Sequence, residues 1–247
     1  MIKKFLLFIT FIFACSALAE KPGDTSGYLY GLGVSTNKEI YKGYNRRTIL
    51  LPIIGYRGER LNVYGPFVSY KVADMSDFNI LIQVAPRFQG FDDSDSYIFE
   101  GMKDRKFSMD AGASLNYKNN NWKISFSTMF DVLNRSNGSE LVTSLSHTFR
   151  FGPVFVEPSL TFSYLNDNHV NYYYGVKKDE VSSNRQEYLG KSALNPGFGL
   201  SISTPILFGG FTQLSLRRTW FSEGITDSPL VEDHGNIIVR LLYTRNF

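Results

Sequence analysis

The sequence predicts an all-β fold, a transmembrane antiparallel up-and-down β-barrel. Three observations predict it. Apolar and polar residues alternate with period two over segments of about ten residues each, whereas the mean globular strand has only about 5–6. Short and long connections follow one another in turn, as the periplasmic turns and outer loops of an outer-membrane barrel do. Beyond the N-terminus no apolar stretch reaches the ~18 residues of a spanning helix, which leaves a soluble secreted protein or one that crosses a bilayer without helices, and the segment length fits the ~9–11 residues of a tilted spanning strand.

The first residues indicate the compartment. MIKKFLLFITFIFACSALA places Lys3 and Lys4 before an apolar run over 5–14 and ends on Ala17-Leu18-Ala19. That is the pattern of a secretory signal peptide. The expected organisation is a signal peptide over 1–19 and a barrel over 20–247. Cys15 offers a rival reading as a lipid-modified residue. Against it stands Phe13, bulky where such a signal carries a small residue. Cys15 is the only cysteine, which excludes a disulfide scaffold, a zinc ribbon and a cysteine nucleophile. The net charge of +3 falls to +1 without Lys3 and Lys4. That leaves no basic field to support a nucleic-acid partner.

The strand pattern is clearest in the middle of the chain. In 107–118, Phe107, Met109, Ala111, Ala113, Leu115 and Tyr117 share one face, and Ser108, Asp110, Ser114, Asn116 and Lys118 the other. In 122–133, Trp122, Ile124, Phe126, Phe130 and Val132 oppose Lys123, Ser125, Ser127 and Asp131. Segments 141–151 and 154–164 repeat the alternation. Charges of both signs on the polar face suit a wet lumen, and aromatics at segment ends suit interfacial girdles. Further strands are expected at 27–35, 48–57, 60–71, 78–88, 192–204, 209–221 and 236–247. These make eleven, and a single-chain bacterial barrel takes an even number. One strand is therefore missed or split before residue 107, where the alternation is muddier, as in Ile49–Ile54. The expectation is about twelve strands, with ten as the fallback. Adjacent Arg217 and Arg218 must point to opposite faces.

The chain ends IIVRLLYTRNF, with Phe247 terminal and Tyr243, Leu241 and Val239 on the same face. This pattern resembles the assembly signal of outer-membrane barrels. Little else carries chemistry. His147 lies on an apolar face and His169 and His234 in loops, without metal-ligand spacing. No G-x-S-x-G occurs. No catalytic residue, cofactor or metal site is expected. Asp92, Asp93 and Asp95 have the oxygen ligands for a cation but lack the rest of a calcium loop, and an ordinary solvated acidic loop is the simpler reading. Lys38, Lys42, Arg46 and Arg47 form either a plain charged loop or a contact to lipopolysaccharide phosphates.

Four stretches carry a family resemblance. They are Leu51-Pro52-Ile53-Ile54-Gly55-Tyr56 with GERL at 58–61, Gly101-Met102-Lys103-Asp104-Arg105, Tyr173-Tyr174-Gly175-Val176, and Asp227-Ser228-Pro229-Leu230-Val231. In this order, and with the terminal Phe, the chain resembles the MipA/OmpV family of Gram-negative outer-membrane proteins over about residues 27–247. The resemblance implies an outer-membrane location and a non-enzymatic scaffold. Its implied partners are a murein lytic transglycosylase and a bifunctional penicillin-binding protein. Two alternatives stand beside it: a small pore, and a surface adhesin or antigen using loops 89–105 and 167–190. For the adhesin, Tyr172, Tyr173 and Tyr174 are the candidate contacts, with an outer aromatic girdle as the plainer reading.

Overall fold

The computed structural model describes residues 26–44 and 46–247; the expected signal peptide lies outside the described residues. Twelve antiparallel strands close into one barrel. They are β1 (Gly27–Lys38), β2 (Arg46–Arg57), β3 (Leu61–Tyr64), β4 (Phe67–Met75), β5 (Phe78–Arg87) and β6 (Ser108–Asn119). Then follow β7 (Trp122–Asp131), β8 (Ser139–His147 continuing as Phe149–Phe151), β9 (Val154–Leu165), β10 (Ala193–Thr204), β11 (Phe211–Trp220) and β12 (Gly235–Asn246). Every strand pairs with its sequence neighbour, and β12 pairs with β1 from Leu29↔Asn246 to Asn37↔Ile238 to close the ring. Closure removes free sheet edges, the one way a sheet survives in hydrocarbon. No helix among the described residues is long and apolar enough to span a membrane.

The alternation sorts the faces as expected. Leu115, Phe126, Leu145, Leu160 and Phe162 are exposed on the outer wall. Their neighbours Asp110, Ser114, Asn116, Glu140 and Thr161 are buried in the lumen. Arg217 and Arg218 part as the pleat requires: Arg217 lines the lumen, and Arg218 lies over the Trp220 ring at 5.9 Å. Tight two-residue turns join β6 to β7 and β8 to β9 at one end of the barrel, and the long connections gather at the other.

The twelfth strand comes from 60–71 and not from Ile49–Ile54. Gly65 and Pro66 break that segment into a hairpin, β3–β4, with Gly65 at φ 58. A positive φ is open to Gly at little cost. The hairpin is short. Its tip lies level with Ile54, whose carbonyl accepts from Gly65 N at 3.1 Å, and with Val84, which pairs with Val68. β2 pairs with β3 only through Gly55–Arg57. Above the tip, Arg46–Ile53 of β2 and the end of β5 face each other with no strand between them. The wall is notched there. Leu50 and Ile54, at 66% and 75% exposure, are unusually bare for want of that neighbour.

Three prolines surround the notch: Pro52 on β2, Pro66 at the tip and Pro86 on β5. Ile54 turns its backbone toward the hairpin, so Pro52, two residues away, turns the same way and presents no N–H to the gap. An unsatisfied backbone group in hydrocarbon costs several kcal/mol, and proline removes the donor. From inside, the Arg47 guanidinium reaches across to the Phe88 carbonyl at 2.8 Å and to that of Gly90. Behind the notch, Leu29, Ile49, Ile53, Tyr64, Phe67 and Leu242 pack into an apolar wedge along one side of the lumen.

Candidate functional site: a capped lumen

The long connections fold together over one mouth of the barrel. The segments after β1, β5, β9 and β11 contribute Tyr41, Phe99, Val170, Tyr173, Ile225 and Leu230, all at or near zero exposure, to one apolar core. Helix α1 (Asp167–Tyr174) is capped by the Asn166 side chain, which accepts from His169 N. Its i, i+3, i+4 positions Val170, Tyr173 and Tyr174 turn into that core. Phe91 and Phe99 stack at 3.8 Å, with Tyr41 edge-on to both.

Arg105 ties the cap together. It makes a bidentate pair with Glu180 at 2.9 and 2.7 Å. It also donates to the carbonyls of Tyr172 at 2.6 Å, Lys103 at 2.6 Å and Gly175 at 3.4 Å. Its guanidinium lies over the Phe91 ring at 5.5 Å. Burial pushes the Glu180 carboxyl up, but hydrogen bonds from Arg105 and from the Lys177 and Lys103 backbones outweigh this and hold it below the usual carboxylate range. Arg185 donates to the carbonyls of Glu180 and Ile98. Ser228 Oγ donates to Tyr174 O at 2.6 Å, and Lys42 N to Leu230 O at 2.9 Å. Three of the four stretches that carry the family resemblance therefore meet here: Gly101–Arg105, Tyr173–Val176 and Asp227–Val231.

Beneath the cap the lumen is polar and partly hollow. An upper chamber of about 170 Å³ has Glu39, Arg47, Arg87, Glu140 and His169 in its lining. A lower one of about 80 Å³ runs past Ser144, Ser159, Ser201, Ser215 and Lys123 toward the turn end of the barrel. Arg87 joins Asp110 at 2.6 Å and Glu140 at 2.8 Å, and Glu140 also accepts from Ser163 at 2.7 Å. Arg47 pairs with Glu39 at 2.7 Å. His169, at the roof, lies 3.3 Å from Gln89. Burial and then the nearby Arg87 hold its imidazole well below the ordinary histidine range, hence neutral.

The residues singled out from sequence fall in several places. Tyr173 and Tyr174 are buried in the cap core and Tyr172 is half-buried against it. They help build the cap, and Tyr174 also lines the upper chamber of the lumen. Val239 and Leu241 are exposed on the outer wall, while Tyr243 is half-buried and donates to Phe208 O at 2.9 Å. Phe247 N donates to Tyr28 O, and its ring packs on Tyr30 at 5.0 Å. Arg47 turns inward, Lys42 is half-buried, and Lys38 and Arg46 stay exposed at the rim, Lys38 paired with Asp233 at 2.7 Å. Asp92, Asp93 and Asp95 form a tight turn with Asp92 N donating to Asp95. The described residues hold no group of three or more metal-ligating side chains. Sequence reasoning missed Arg87 and Glu180, whose partners are remote in the chain. Arg105 was visible only as part of a motif.

A closed twelve-stranded barrel, apolar outside, girdled with aromatics, polar within and capped by its loops, defines an outer-membrane β-barrel protein. The chain matches the family described as MltA-interacting protein MipA over residues 30–247, and it belongs to that family. Relatives include the MltA-interacting protein of Escherichia coli, 28% identical over 94% of both chains. Others are the outer membrane protein Omp26La of Vibrio anguillarum, 24% identical over 96% of both, and OmpV of Vibrio cholerae, 23% identical over 96% of both. Among solved structures, a bacterial polysaccharide outer membrane secretin aligns at 9% identity and TM-score 0.44, over 90% of this chain and 98% of its own. The protein is located in the outer membrane.

Proposed function

We propose that this protein is a non-enzymatic scaffold that holds murein enzymes, a lytic transglycosylase first among them, at the periplasmic rim of its barrel. The observation that carries the reading is the β10–β11 turn. At six residues, 205–210, it is the longest turn at that end of the barrel among the described residues. Its tip, Ile206-Leu207-Phe208, is exposed, Phe208 to 82%. Phe208 holds φ 54, ψ 28, a left-handed backbone that costs a bulky residue roughly 1–3 kcal/mol. The Tyr243 hydroxyl pins the Phe208 carbonyl. An exposed aromatic on a strained, braced turn suits an anchor that fills a partner's pocket. The sealed outer mouth and the interaction named in the E. coli relative support the same side of the membrane. A penicillin-binding protein is the second partner of this reading.

The test is photo-crosslinking in cells from position 207, followed by mass spectrometry. Recovery of a lytic transglycosylase, lost in Phe208→Asp with the folded gel band retained, supports the scaffold. Recovery of lipopolysaccharide and porins alone overturns it. The two lumen chambers favour a second reading, a small transport channel. That reading requires the cap to open, so planar-bilayer conductance separates the two.

A further inference from the structure

The notch between β2 and β5 is a gap in the membrane wall, independent of the scaffold reading. Along β2 from 49 to 54 both faces are apolar. Ile49, Leu51 and Ile53 turn inward, and Leu50, Pro52 and Ile54 outward. Ile49 and Ile53 belong to the apolar wedge behind the gap, with Leu51 and Phe88 packed against it. Elsewhere the inner face of the wall is polar, as Ser114, Asn116 and Thr161 show. The gap therefore has an apolar floor where the rest of the lumen would offer water.

The two edges of the gap do not suit another strand. Pro52 faces it from β2 without an N–H. On the other side, the Asp77 carbonyl accepts from Lys118 of β6, so the even-numbered residues of β5 turn their backbones the other way, and Pro86 faces the gap. The carbonyls of Phe88 and Gly90 are taken by Arg47. An added strand would find proline on both sides. A hydrocarbon chain needs no donor at all.

The outer face beside the gap is ordered like a lipid. Register sets Lys38 against Arg46, then Thr36 against Thr48, Val34 against Leu50, Leu32 against Pro52 and Tyr30 against Ile54. Cations stand at the rim, two hydroxyls 3.0 Å apart come next, and the rows below are predominantly apolar. Successive rows are about 7 Å apart, so a phosphate at the first row puts ester linkages near the second and an acyl chain on the rest. Like charges directly opposite one another are unfavourable. Asp233 answers Lys38 at 2.7 Å, and Arg46 has no ion pair among the described residues. At the outer end of β9–β10 the outward pair is Tyr164 and Leu194, with no charge.

We propose that the notch seats one acyl chain of an outer-leaflet lipopolysaccharide, whose lipid phosphate is held by Arg46 and Lys38. The notch lies at the outer mouth, in the leaflet that lipopolysaccharide occupies. A phosphate monoester carries about −1.5 to −2 charges, which suits a two-cation row better than the single charge of a phosphodiester does.

The experiment uses the full mature barrel folded in mild detergent. It is titrated with purified lipid A, with the fully deacylated lipid A headgroup, and with phosphatidylglycerol. Retained molecules are counted by native mass spectrometry, and the folded gel band checks each variant. The expected result is saturable retention of a single lipid A. Retention should weaken roughly fivefold in Arg46→Gln, be lost in Leu50→Trp, which puts an indole in the gap, and be unchanged in Arg218→Gln. Arg46→Gln, on the exposed rim, keeps the test decisive if Leu50→Trp does not fold. Absence of saturable retention, or equal retention in Arg46→Gln and the parent, overturns the proposal. Equal retention of the deacylated headgroup overturns it too, since the chain would then add nothing. So does equal retention of phosphatidylglycerol, which removes the selectivity, and so do lipid-free dimers cross-linked through Leu50→Cys, which give the gap to a second copy.

Discussion

Replacing Arg105 with Ala should open the cap without unfolding the barrel. The substitution removes both contacts to Glu180 and the donors to three backbone carbonyls. It strands a carboxylate that is 2% exposed. Breaking a buried pair from one side costs about 3–5 kcal/mol. The Lys103 and Lys177 N–H groups still donate to Glu180, which puts the expected cost near the lower end, about 3 kcal/mol. At 1.4 kcal/mol per decade this raises the open population roughly a hundredfold. Hydrogen exchange of peptides from 88–107 and 166–192 reads it directly. Those amides should exchange roughly a hundredfold faster, while strands β6–β12 keep their protection. Planar-bilayer recordings should show openings in the variant where the parent is quiet. An apolar pair, Arg105→Met with Glu180→Leu, should recover most of the protection, because an isosteric apolar pair avoids the desolvation cost. Exchange in Arg105→Ala within threefold of the parent would refute the reasoning, since the cap would then rest on its apolar core alone.

Other perturbations have equally definite outcomes. Acid should loosen the cap: Glu180 is held below its usual range and His169 well below its own, so both favour the closed state at higher pH. The His169 share fades as pH falls below about 6.5 and the Glu180 share below about 4.3; cap protection, corrected for the intrinsic pH dependence of amide exchange, that stays constant from pH 8 to pH 3 would contradict this. Arg87→Ala leaves Asp110 and Glu140 facing each other in the lumen and should cost about 3–5 kcal/mol, read as a lower temperature for loss of the folded gel band. Gly112→Val places a side chain against the Thr128 carbonyl; strain of roughly 1–3 kcal/mol is expected, with Ala113→Val on the open outer face as the neutral comparison. Deleting Phe247 removes its contacts to Tyr28 and Tyr30 and should slow assembly in cells, seen as accumulation of the unfolded gel form in pulse-chase.

The wall was easier to read than the cap, and the reason is periodicity. A strand between lipid and water writes its two faces into alternate residues, as Phe126 and Leu160 on one side and Ser125 and Thr161 on the other illustrate. The β3–β4 hairpin escaped because its strands are short and its two-residue turn leaves only a change of phase as a signal: Leu61 is exposed before it, Val68 and Tyr70 after it. The cap has no such period. Tyr41, Phe99, Val170 and Leu230 come from four separate loops, and each alone resembles a stray apolar residue in a polar connection. Tyr172, Tyr173 and Tyr174 read as surface aromatics because nothing local reveals that the loop forms a helix that turns two of them inward. Arg105 and Glu180 are 75 positions apart in the chain, a pairing that only the folded loops bring about.

The notch gives the barrel a preferred direction of bending. Around most of the circumference each strand is stitched on both sides, and the ring resists ovalisation as a closed hoop does. Between β2 and β5 the upper part of that hoop is open, and Arg47 spans it as a tie rod. The lower part, below Gly65 and Pro66, is paired strand to strand, with one bulge between Lys71 and Ala73. Elastic deformation will therefore concentrate at the outer mouth, with the hairpin tip as its fulcrum. The same tie rod grips Glu39, next to the Ile40 and Tyr41 that the cap core buries. Breathing of the mouth and lifting of the lid thus share one mechanical axis, while the periplasmic rim stays a rigid collar.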